Sequence, residues 1–270
     1  MSYACRSLVT TQGDFASHDK RLSICLKADG FSFSETTNGG VLLTLGEAVG
    51  THAASMNDAT REIKAFFAEV GVRPLGYASS ELIVLTDEHT WVPDELYSSL
   101  ANRQYLKLVG GNSAAVMSCA CKALGSTSVY AGNEQLAMSF KVALPGLTVI
   151  NQHVKMVTLA SRSQHPLMVT HWREGRVDVA AFRDGRYLYG NTLPFDNDDE
   201  ALYRVVEVMK NSGIEGTSSE MLMCGDVDRD RFARFRPYFP KTTLYAGEAT
   251  HYLNDDFKRQ RTYRHALILM

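Results

Sequence analysis

The sequence predicts an α/β protein built from two copies of one structural unit, with mixed sheets that carry helices on their faces. The prediction comes from the order and the spacing of the elements. Three strands, a helix, a strand and a second helix begin near residue 22, and the same order begins again near residue 167. Matched features lie 145 residues apart at the first strand (22 to 167), 141 at the helix (58 to 199) and 139 at the next strand (81 to 220).

Length and composition agree with a folded protein of two lobes. The chain has 270 residues, of which 45% are hydrophobic and 21% are charged. These values exclude a disordered chain, a collagen-like repeat and a membrane bundle, and at roughly 150 residues per domain the length suits two units. The formal net charge of −2 gives no electrostatic sign of a nucleic-acid or membrane partner.

The N-terminal residues and the cysteines favour a cytoplasmic protein. Residues 1–21 contain no apolar run of the kind found in signal peptides, and no window of about 18 apolar residues predicts a membrane span. Five cysteines, an odd number in a chain of this length, do not indicate a disulfide framework. Cys119 and Cys121 lack a second pair at matching spacing, so we interpret them as packing residues, and the sequence predicts no metal site.

The first unit begins with three short strands. Two hairpin turns are predicted at residues 29–30 (DG) and 38–40 (NGG), and a third strand follows at 41–45. Apolar side chains alternate with others along the first two strands, which is typical of a sheet with one face in the core. These side chains are Leu22, Ile24, Leu26, Phe31 and Phe33.

Two helices and a strand complete the first unit. The first helix has Asn57 or Asp58 as its N-cap and Gly71 as its stop. Its apolar positions recur at i, i+3, i+4 and i+7: Ile63, Phe66, Phe67 and Val70. Residues 82–85 (LIVL) predict a buried strand. Residues 92–96 (VPDEL) predict the start of the second helix, because proline and acids are favoured in a first turn.

The second unit repeats this order. Strands are predicted at 167–171, 177–181 and 187–193, with turns at 173–176 and 184–185 between them. The helix that follows has Asp198 or Asp199 as its N-cap and Gly213 as its stop. Its apolar positions are Leu202, Val205, Val206 and Met209.

The remaining segments complete the second unit and join the two. A strand at 220–224, a helix at 228–235 and a strand at 242–245 end the second unit, and the apolar residues 266–270 are expected to dock on a lobe or a neighbour. Between the units, residues 135–142 predict a strand and residues 150–161 a helix. We therefore predict an N-terminal extension at 1–20, a first lobe at 21–150 and a second lobe at 151–270, with the boundary within 143–166.

This duplicated unit resembles the actin-like fold, in which two ribonuclease-H-like lobes close over a nucleotide. Residues 183–186 (RDGR) resemble a strand–turn–strand motif of pilus-assembly ATPases of the PilM kind. Residues 21–24 (RLSI), running into 29–34 (DGFSFS), resemble a domain family of uncharacterised bacterial proteins, mostly from Bacteroidetes, from about residue 15 to the C-terminus. The resemblance implies an actin-like fold and brings no assigned activity.

The resemblance also implies which positions of the chain would bind a nucleotide. In nucleotide-binding members, the first hairpin of each lobe carries an aspartate with a glycine two residues later, since the glycine backbone approaches the phosphates and the aspartate handles metal and water. The first strand here, residues 22–27, has no carboxylate, and Asp29 beside Gly30 is explained by the turn. In the second unit His171 stands at the aspartate position, Arg173 at the glycine and Asp178 where a threonine is usual.

The adenosine-site strand, which usually ends in two glycines, ends here in Gly225 and Asp226. Because only Gly225 matches the residues of a nucleotide-binding member, we predict a degenerate nucleotide site, no bound cofactor and no catalytic residue. The predicted function is that of a non-catalytic binding or scaffold protein. Its partner is a protein or peptide held in the inter-lobe groove or at a sheet edge, and neither a nucleic acid nor a membrane.

The alternative is an enzyme, a divergent ATPase or kinase of the actin-like superfamily that binds Mg-ATP. It would need Asp29, Asp178 and Asp226 as carboxylates, with one of them in the cleft and facing a glycine backbone. The sequence contains no P-loop, no HExxH and no GxSxG. Cleavage of RNA, which the ribonuclease-H-like topology also suggests, lacks the carboxylate cluster that two-metal chemistry needs.

Overall fold

The structure is a computed structural model of the chain and describes residues 3–11, 16, 19–50, 55–249, 251–252 and 254–270. Within this part of the chain, strands and helices form a seven-stranded, a five-stranded and a three-stranded sheet with helices on their faces. The strands are β1 (Ala4–Thr10), β2 (Lys20–Lys27), β3 (Gly30–Thr37), β4 (Val41–Val49), β5 (Ser79–Val84), β6 (His89–Pro93), β7 (Val116–Cys121), β8 (Ser126–Ala131), β9 (Thr148–Asn151), β10 (Leu167–Arg173), β11 (Arg176–Arg183), β12 (Arg186–Pro194), β13 (Glu220–Gly225), β14 (Thr242–Leu244) and β15 (His251–Tyr252). The helices are α1 (Met56–Glu69), α2 (Asn102–Leu108), α3 (Glu134–Ala143), α4 (Gln152–Ala160), α5 (Asp198–Asn211), α6 (Arg229–Phe235), α7 (Asp255–Arg259) and α8 (Ala266–Leu269).

The two larger sheets share one strand order, which confirms the predicted repeat and the α/β fold class. In the first lobe the order is β4-β3-β2-β5-β9, and in the second it is β12-β11-β10-β13-β14. In both, the first three strands are antiparallel and the last two run parallel to the central strand. The predicted hairpin turns at 29–30, 38–40, 173–176 and 184–185 join the strands of these meanders.

Each lobe buries an apolar layer between its sheet and its outer helices. In the first lobe, the alternating side chains of β2 and β3 pack with Ile63, Phe66 and Phe67 of α1 and with Phe140 of α3. In the second lobe, the fully buried Trp172 packs among β11, α5 and α6. Burial of this apolar surface, at about 25 cal/mol per Å², is the main favourable term in folding.

Helix ends differ from the prediction by a few residues. The N-cap of α1 is Ser55, whose side chain accepts a hydrogen bond from the amide of Asp58. The N-cap of α5 is Asn197, which binds the amides of Asp199 and Glu200. The sequence prediction placed both caps too late, because several capping-type residues stand in a row at each helix start and spacing alone does not rank them.

Two segments fold differently from the prediction. Residues 135–142 were predicted as a strand but form α3, which Asn133 caps and which buries Leu136, Ala137 and Phe140 at helical spacing. Residues 92–96 do not start an α-helix, because β6 extends to Pro93 and a short 3-10 turn covers Asp94–Leu96. The helix α2 begins only at Asn102, and it packs on the three-stranded sheet β6-β8-β7, an insertion between β5 and α3.

A second apolar layer lies between the lobes and contains α4 and α8. Met156 and Val157 of α4 are fully buried among residues of both sheets. The side chains of α8 are at most 3% exposed, and the hydroxyl of Ser34 donates a 2.7 Å hydrogen bond to the carbonyl of Ile268. The predicted docking of residues 266–270 is therefore confirmed.

The predicted division at residues 20 and 150 stays a prediction. β1, which precedes the predicted first lobe, pairs with β4 over Ala4 to Thr10. β15, from the predicted second lobe, pairs with the start of the same strand. No helix in the described ranges is long and apolar enough to cross a membrane.

Candidate binding cleft between the lobes

The first hairpins of the two lobes face one cleft of about 1170 Å³. Residues 25–29 line it from the first lobe, and residues 171–174 with Gly225 and Asp226 line it from the second. Side chains from residues 260–268, which lead into and form α8, line the same cleft. The cleft therefore lies at the junction where the resemblance predicts a nucleotide.

The structure brings three of the four predicted site residues to this cleft. Asp29, Gly225 and Asp226 line it, whereas Asp178 does not line it and is fully buried. Gly30, the residue after Asp29, is required by the close packing of β3 against β4. A Cβ atom on Gly30 would lie 2.1 Å from the carbonyl oxygen of Ala48 on β4, so its backbone is packed against protein.

Gly225 has a similar structural explanation. Its φ of +85° lies in the left-handed region, which favours glycine. A Cβ atom there would lie 2.2 Å from the carbonyl oxygen of Trp172, and the amide of Asp226 donates a 2.7 Å hydrogen bond to that oxygen. The carboxylate of Asp226 lies 3.6 Å from Nε of Arg264. The glycine thus permits the close approach of β13 to β10.

Asp178 is the centre of a buried polar network. Its Oδ2 accepts hydrogen bonds from Nδ1 of His171 at 3.0 Å and Nε of Arg173 at 3.2 Å. Its Oδ1 accepts from Thr192 at 2.6 Å, from Nη2 of Arg173 at 3.2 Å and from Gln152 at 3.2 Å. Burial by itself would raise the pKa of Asp178, but the hydrogen bond from His171 and the charge of Arg173 outweigh it and hold the pKa well below its usual range.

Arg173 and Gln152 extend this network across the lobe junction. Nη2 of Arg173 also donates to the carbonyl of Thr86 at 3.2 Å and to Asp87 at 2.5 Å, both in the first lobe. Gln152, at the start of α4, donates to the carbonyl of Thr86 at 2.6 Å and accepts from its amide at 3.1 Å. We call these groups the Asp178 network: Asp178, His171, Arg173, Thr192, Gln152, Thr86 and Asp87.

Two stacked histidines border the network. The rings of His89 and His153 are 3.7 Å apart and nearly parallel, and Nε2 of His153 lies 3.0 Å from the hydroxyl of Thr192. Burial lowers the pKa of His153 to about 4 and that of His89 well below its ordinary value. Both rings are therefore neutral at pH 7. No group of three or more His, Cys, Asp or Glu side chains in the described residues is arranged to hold a metal ion.

Sequence reasoning missed most of this network. His171 and Asp178 stand directly opposite each other in the β10–β11 ladder, and a turn at 173–176 requires that register. The pair could therefore have been found from the turn alone. Thr86, Asp87 and Gln152 come from distant segments, and no local pattern places them at the junction.

The repeated strand order around an inter-lobe cleft is that of the actin-like fold. A Bacteroides thetaiotaomicron protein with an actin-like ATPase fold and unknown function is similar over 90% of this chain and 95% of its own, at 16% identity and a TM-score of 0.67. A chain of the PilM–PilN type IV pilus biogenesis complex is similar over 92% of this chain and 94% of its own, at 12% identity and a TM-score of 0.53. The ethanolamine utilization protein EutJ from Carboxydothermus hydrogenoformans is similar over 93% of this chain and 90% of its own, at 10% identity and a TM-score of 0.52.

The chain belongs to the family described as "Protein of unknown function (DUF3822)", whose profile matches residues 12–241. The expected resemblance to a family of unknown function and to PilM is therefore confirmed, as is the actin-like fold. No curated protein matches the chain.

Proposed function

We propose that this chain is a non-catalytic binding or scaffold protein that keeps the actin-like fold with a degenerate nucleotide site. The observation that carries the proposal is the Arg173 side chain at the glycine position of the second hairpin. Its guanidinium is bound to Asp178, to Asp87 and to the carbonyl of Thr86. A phosphate-binding hairpin needs an open backbone at this position, and here a large side chain is fixed there.

The carboxylates support the same conclusion. A metal-bound triphosphate needs carboxylate oxygens that are free to face the metal. Asp178 already accepts five hydrogen bonds and is fully buried, so a metal ion would have to displace protein donors. Asp29 and Asp226 line the cleft, but the glycines next to them, Gly30 and Gly225, are packed against protein backbone.

The Asp178 network also supports a binding or scaffold role, because it fixes the two lobes in one arrangement. Arg173 and Gln152 both donate hydrogen bonds to the carbonyl of the buried Thr86. A buried polar group that loses its partner is costly, so these links favour the present arrangement of the lobes. The solved PilM chain carries a protein partner, PilN, on a similar fold. By this analogy the partner of the present chain is a protein or peptide, bound in the inter-lobe groove or at a sheet edge. A cytoplasmic location, which the sequence led us to expect, is part of the proposal.

An equilibrium titration with a fluorescent ATP analogue and Mg²⁺, together with an assay of phosphate release, tests this function. We expect no saturable binding at millimolar nucleotide and no release of phosphate above the protein-free rate. Saturable binding that Asp29→Asn or Asp226→Asn removes would support the divergent ATPase or kinase instead.

A further inference from the structure

The described residues after β14 cross from the second lobe to the first and then enter the junction between the lobes. The repeated strand order of the second lobe ends at β14, so these residues belong to neither repeated set of strands. β15 pairs with the start of β4 in the first lobe. The helix α8 then packs against β2 and β3 of the first lobe and against β13 of the second. We call residues 260–270 the junction segment.

The groove between the lobes binds the junction segment through its main chain and its apolar side chains. The hydroxyl of Ser34 donates a 2.7 Å hydrogen bond to the carbonyl of Ile268. Nζ of Lys155 donates a 2.8 Å hydrogen bond to the main-chain oxygen of Met270. The four side chains of α8 are at most 3% exposed. Because a helix of four residues is not stable in water by itself, the groove must stabilise this conformation.

α8 lies between two cavities. Leu267 and Ile268 line the cleft of about 1170 Å³. Ile268 also lines a second cavity of about 450 Å³, together with Leu269 and Met270. A helix in a closed core is packed on all sides and leaves no such space. The junction segment therefore occupies part of a longer groove between the lobes.

The two lobes contribute more acidic than basic side chains to the cleft. Without the junction segment, its charged lining residues are four acids and three bases: Asp29, Glu47, Glu174 and Asp226, and Arg6, Lys27 and Arg173. Lys27 is paired with Glu47 at 2.6 Å, and Arg173 is bound to Asp178 and Asp87, which do not line the cleft. These pairs leave three acids against one base, so the walls of the groove favour a cationic occupant.

The junction segment has the matching charge. Arg261 and Arg264 line the cleft just before α8. Nε of Arg264 lies 3.6 Å from the carboxylate of Asp226 at the end of β13. The segment thus combines a basic stretch with a short apolar helix, and each part meets its complement in the groove.

We propose that the junction segment is an intramolecular ligand, which occupies the inter-lobe groove until a partner protein inserts a segment of the same chemistry and displaces it. That chemistry is a basic stretch followed by a short apolar helix. This inference rests on the proposed binding function, and it selects the inter-lobe groove over a sheet edge. Because the chain's own segment competes, it lowers the apparent affinity for the partner.

Fluorescence anisotropy with a labelled peptide of residues 260–270 (QRTYRHALILM) tests the proposal. We expect the peptide to bind the Ile268→Ala chain at least about tenfold more tightly than the wild-type chain, because the truncation weakens the competing segment. Two altered peptides should not bind. Arg261→Glu with Arg264→Glu removes the match to the acids, and Leu267→Ser with Ile268→Ser removes the apolar contacts.

A second core variant separates release of the segment from general loss of stability. Val205 is fully buried in the second lobe and does not line the cleft, so Val205→Ala should destabilise the chain without raising its affinity for the peptide. If Ile268→Ala does not unfold cooperatively, Arg264→Glu replaces it. The Arg264 side chain is 49% exposed, so this variant is expected to fold. Its repulsion from Asp226 should weaken the segment and raise the affinity for the unaltered peptide.

Hydrogen exchange of the isotope-labelled wild-type chain reports the displacement itself. Excess unlabelled peptide should reduce the protection of amides in residues 262–269, because these residues leave the groove. Amides of α5, which lies on the outer side of the second lobe, should keep their protection.

Three outcomes would overturn the inference: failure of the peptide to bind the variants with a weakened segment, equal binding of the charge-reversed peptide, or binding that leaves the protection of residues 262–269 unchanged. A dimer that the peptide dissociates would overturn it in favour of exchange of the segment between two copies. The nucleotide titration reports on the proposed function separately. A chain that binds neither nucleotide nor peptide would contradict this inference alone, whereas saturable nucleotide binding would contradict the proposed function.

Discussion

Arg173 of the second lobe and Asp87 of the first lobe form an ion pair at 2.5 Å across the lobe junction. The same guanidinium lies 3.2 Å from the buried carboxylate of Asp178. Arg173, which the resemblance places at the glycine position of the second hairpin, therefore connects the two lobes directly. On the proposed function, a structural contact stands here where a nucleotide-binding relative would have a phosphate site.

Removal of the Arg173 side chain should be costly. In Arg173→Ala the carboxylate of Asp178 stays buried without its main counter-charge, and breaking a buried pair on one side costs about 3–5 kcal/mol. Arg176, which also binds Asp87 but is 38% exposed, provides the matched control. Arg176→Ala should cost about 0–1 kcal/mol. Urea unfolding measures both changes, and equal losses in the two variants would contradict the role of the network.

The chain should lose stability as the pH falls below about 6.5. The pKa of His153 is about 4 in the folded protein, against 6.5 for an ordinary histidine, because the ring is buried. Between these values the unfolded chain binds a proton that the folded chain does not, so the free energy of unfolding decreases with falling pH. At about 1.4 kcal/mol per pKa unit, His153 contributes about 3 kcal/mol that is fully lost below pH 4.

Other groups act in the same direction as His153. Burial also lowers the pKa of His89, and it lowers that of His265 to about 4. Asp178, whose pKa is lowered, adds a further loss as the pH falls below the usual range of an aspartate. The measurement is urea unfolding at pH 7.5, 5.5 and 4.5, with His153→Gln as the comparison. A native protein as stable at pH 4.5 as at pH 7.5 would show that the histidines are not buried in neutral form.

Gly225→Ala should destabilise the chain more than a glycine replacement in open space. Both Gly225 and Gly110 have a φ of +85°, so an alanine at either position meets the same backbone strain of about 1–2 kcal/mol. A Cβ atom at Gly225 also meets the carbonyl of Trp172 at 2.2 Å, whereas nothing lies within 4 Å at Gly110. Thermal unfolding should show the larger loss for Gly225→Ala. Equal losses would mean that Gly225 is not fixed by packing.

The short helix α8 should behave as part of the core. Ile268 is 2% exposed between the two sheets, and truncation of a buried isoleucine to alanine costs about 2–5 kcal/mol. Leu108→Ala, at 83% exposure, should leave the free energy of unfolding almost unchanged. If Ile268→Ala were as mild as the control, α8 would not be a structural link between the lobes.

The architecture was predictable from the sequence where periodicity and turns agree. Leu22, Ile24 and Leu26 alternate up to a turn at 29–30, and that pattern recurs at the second meander, so the repeat could be recognised without strong identity. Residues 135–142 were harder, because Leu136, Met138 and Phe140 alternate like a strand while Leu136 and Phe140 are also four residues apart. The N-cap at Asn133 and the packing against α1 stabilise the helix.

The candidate site was less predictable than the fold. The resemblance implied that His171, Arg173 and Asp178 stand at positions of the nucleotide site, but the sequence gave no sign that these side chains bind one another or the first lobe. Thr86 and Gln152 are 66 residues apart and meet because β5 and β9 are neighbours in the sheet. Contacts of this kind follow from the folded topology and leave no local pattern in the chain.

The most direct test of the account is thermal unfolding with and without millimolar Mg-ATP and Mg-ADP. If the nucleotide site is degenerate, as proposed, the cleft should not bind nucleotide, so the midpoint should stay the same. Binding to the folded state at about 100 times Kd would add about 2.7 kcal/mol and raise the midpoint by a few degrees. Such a shift, removed by Asp29→Asn or Asp226→Asn, would contradict the degenerate site and support a nucleotide-binding cleft.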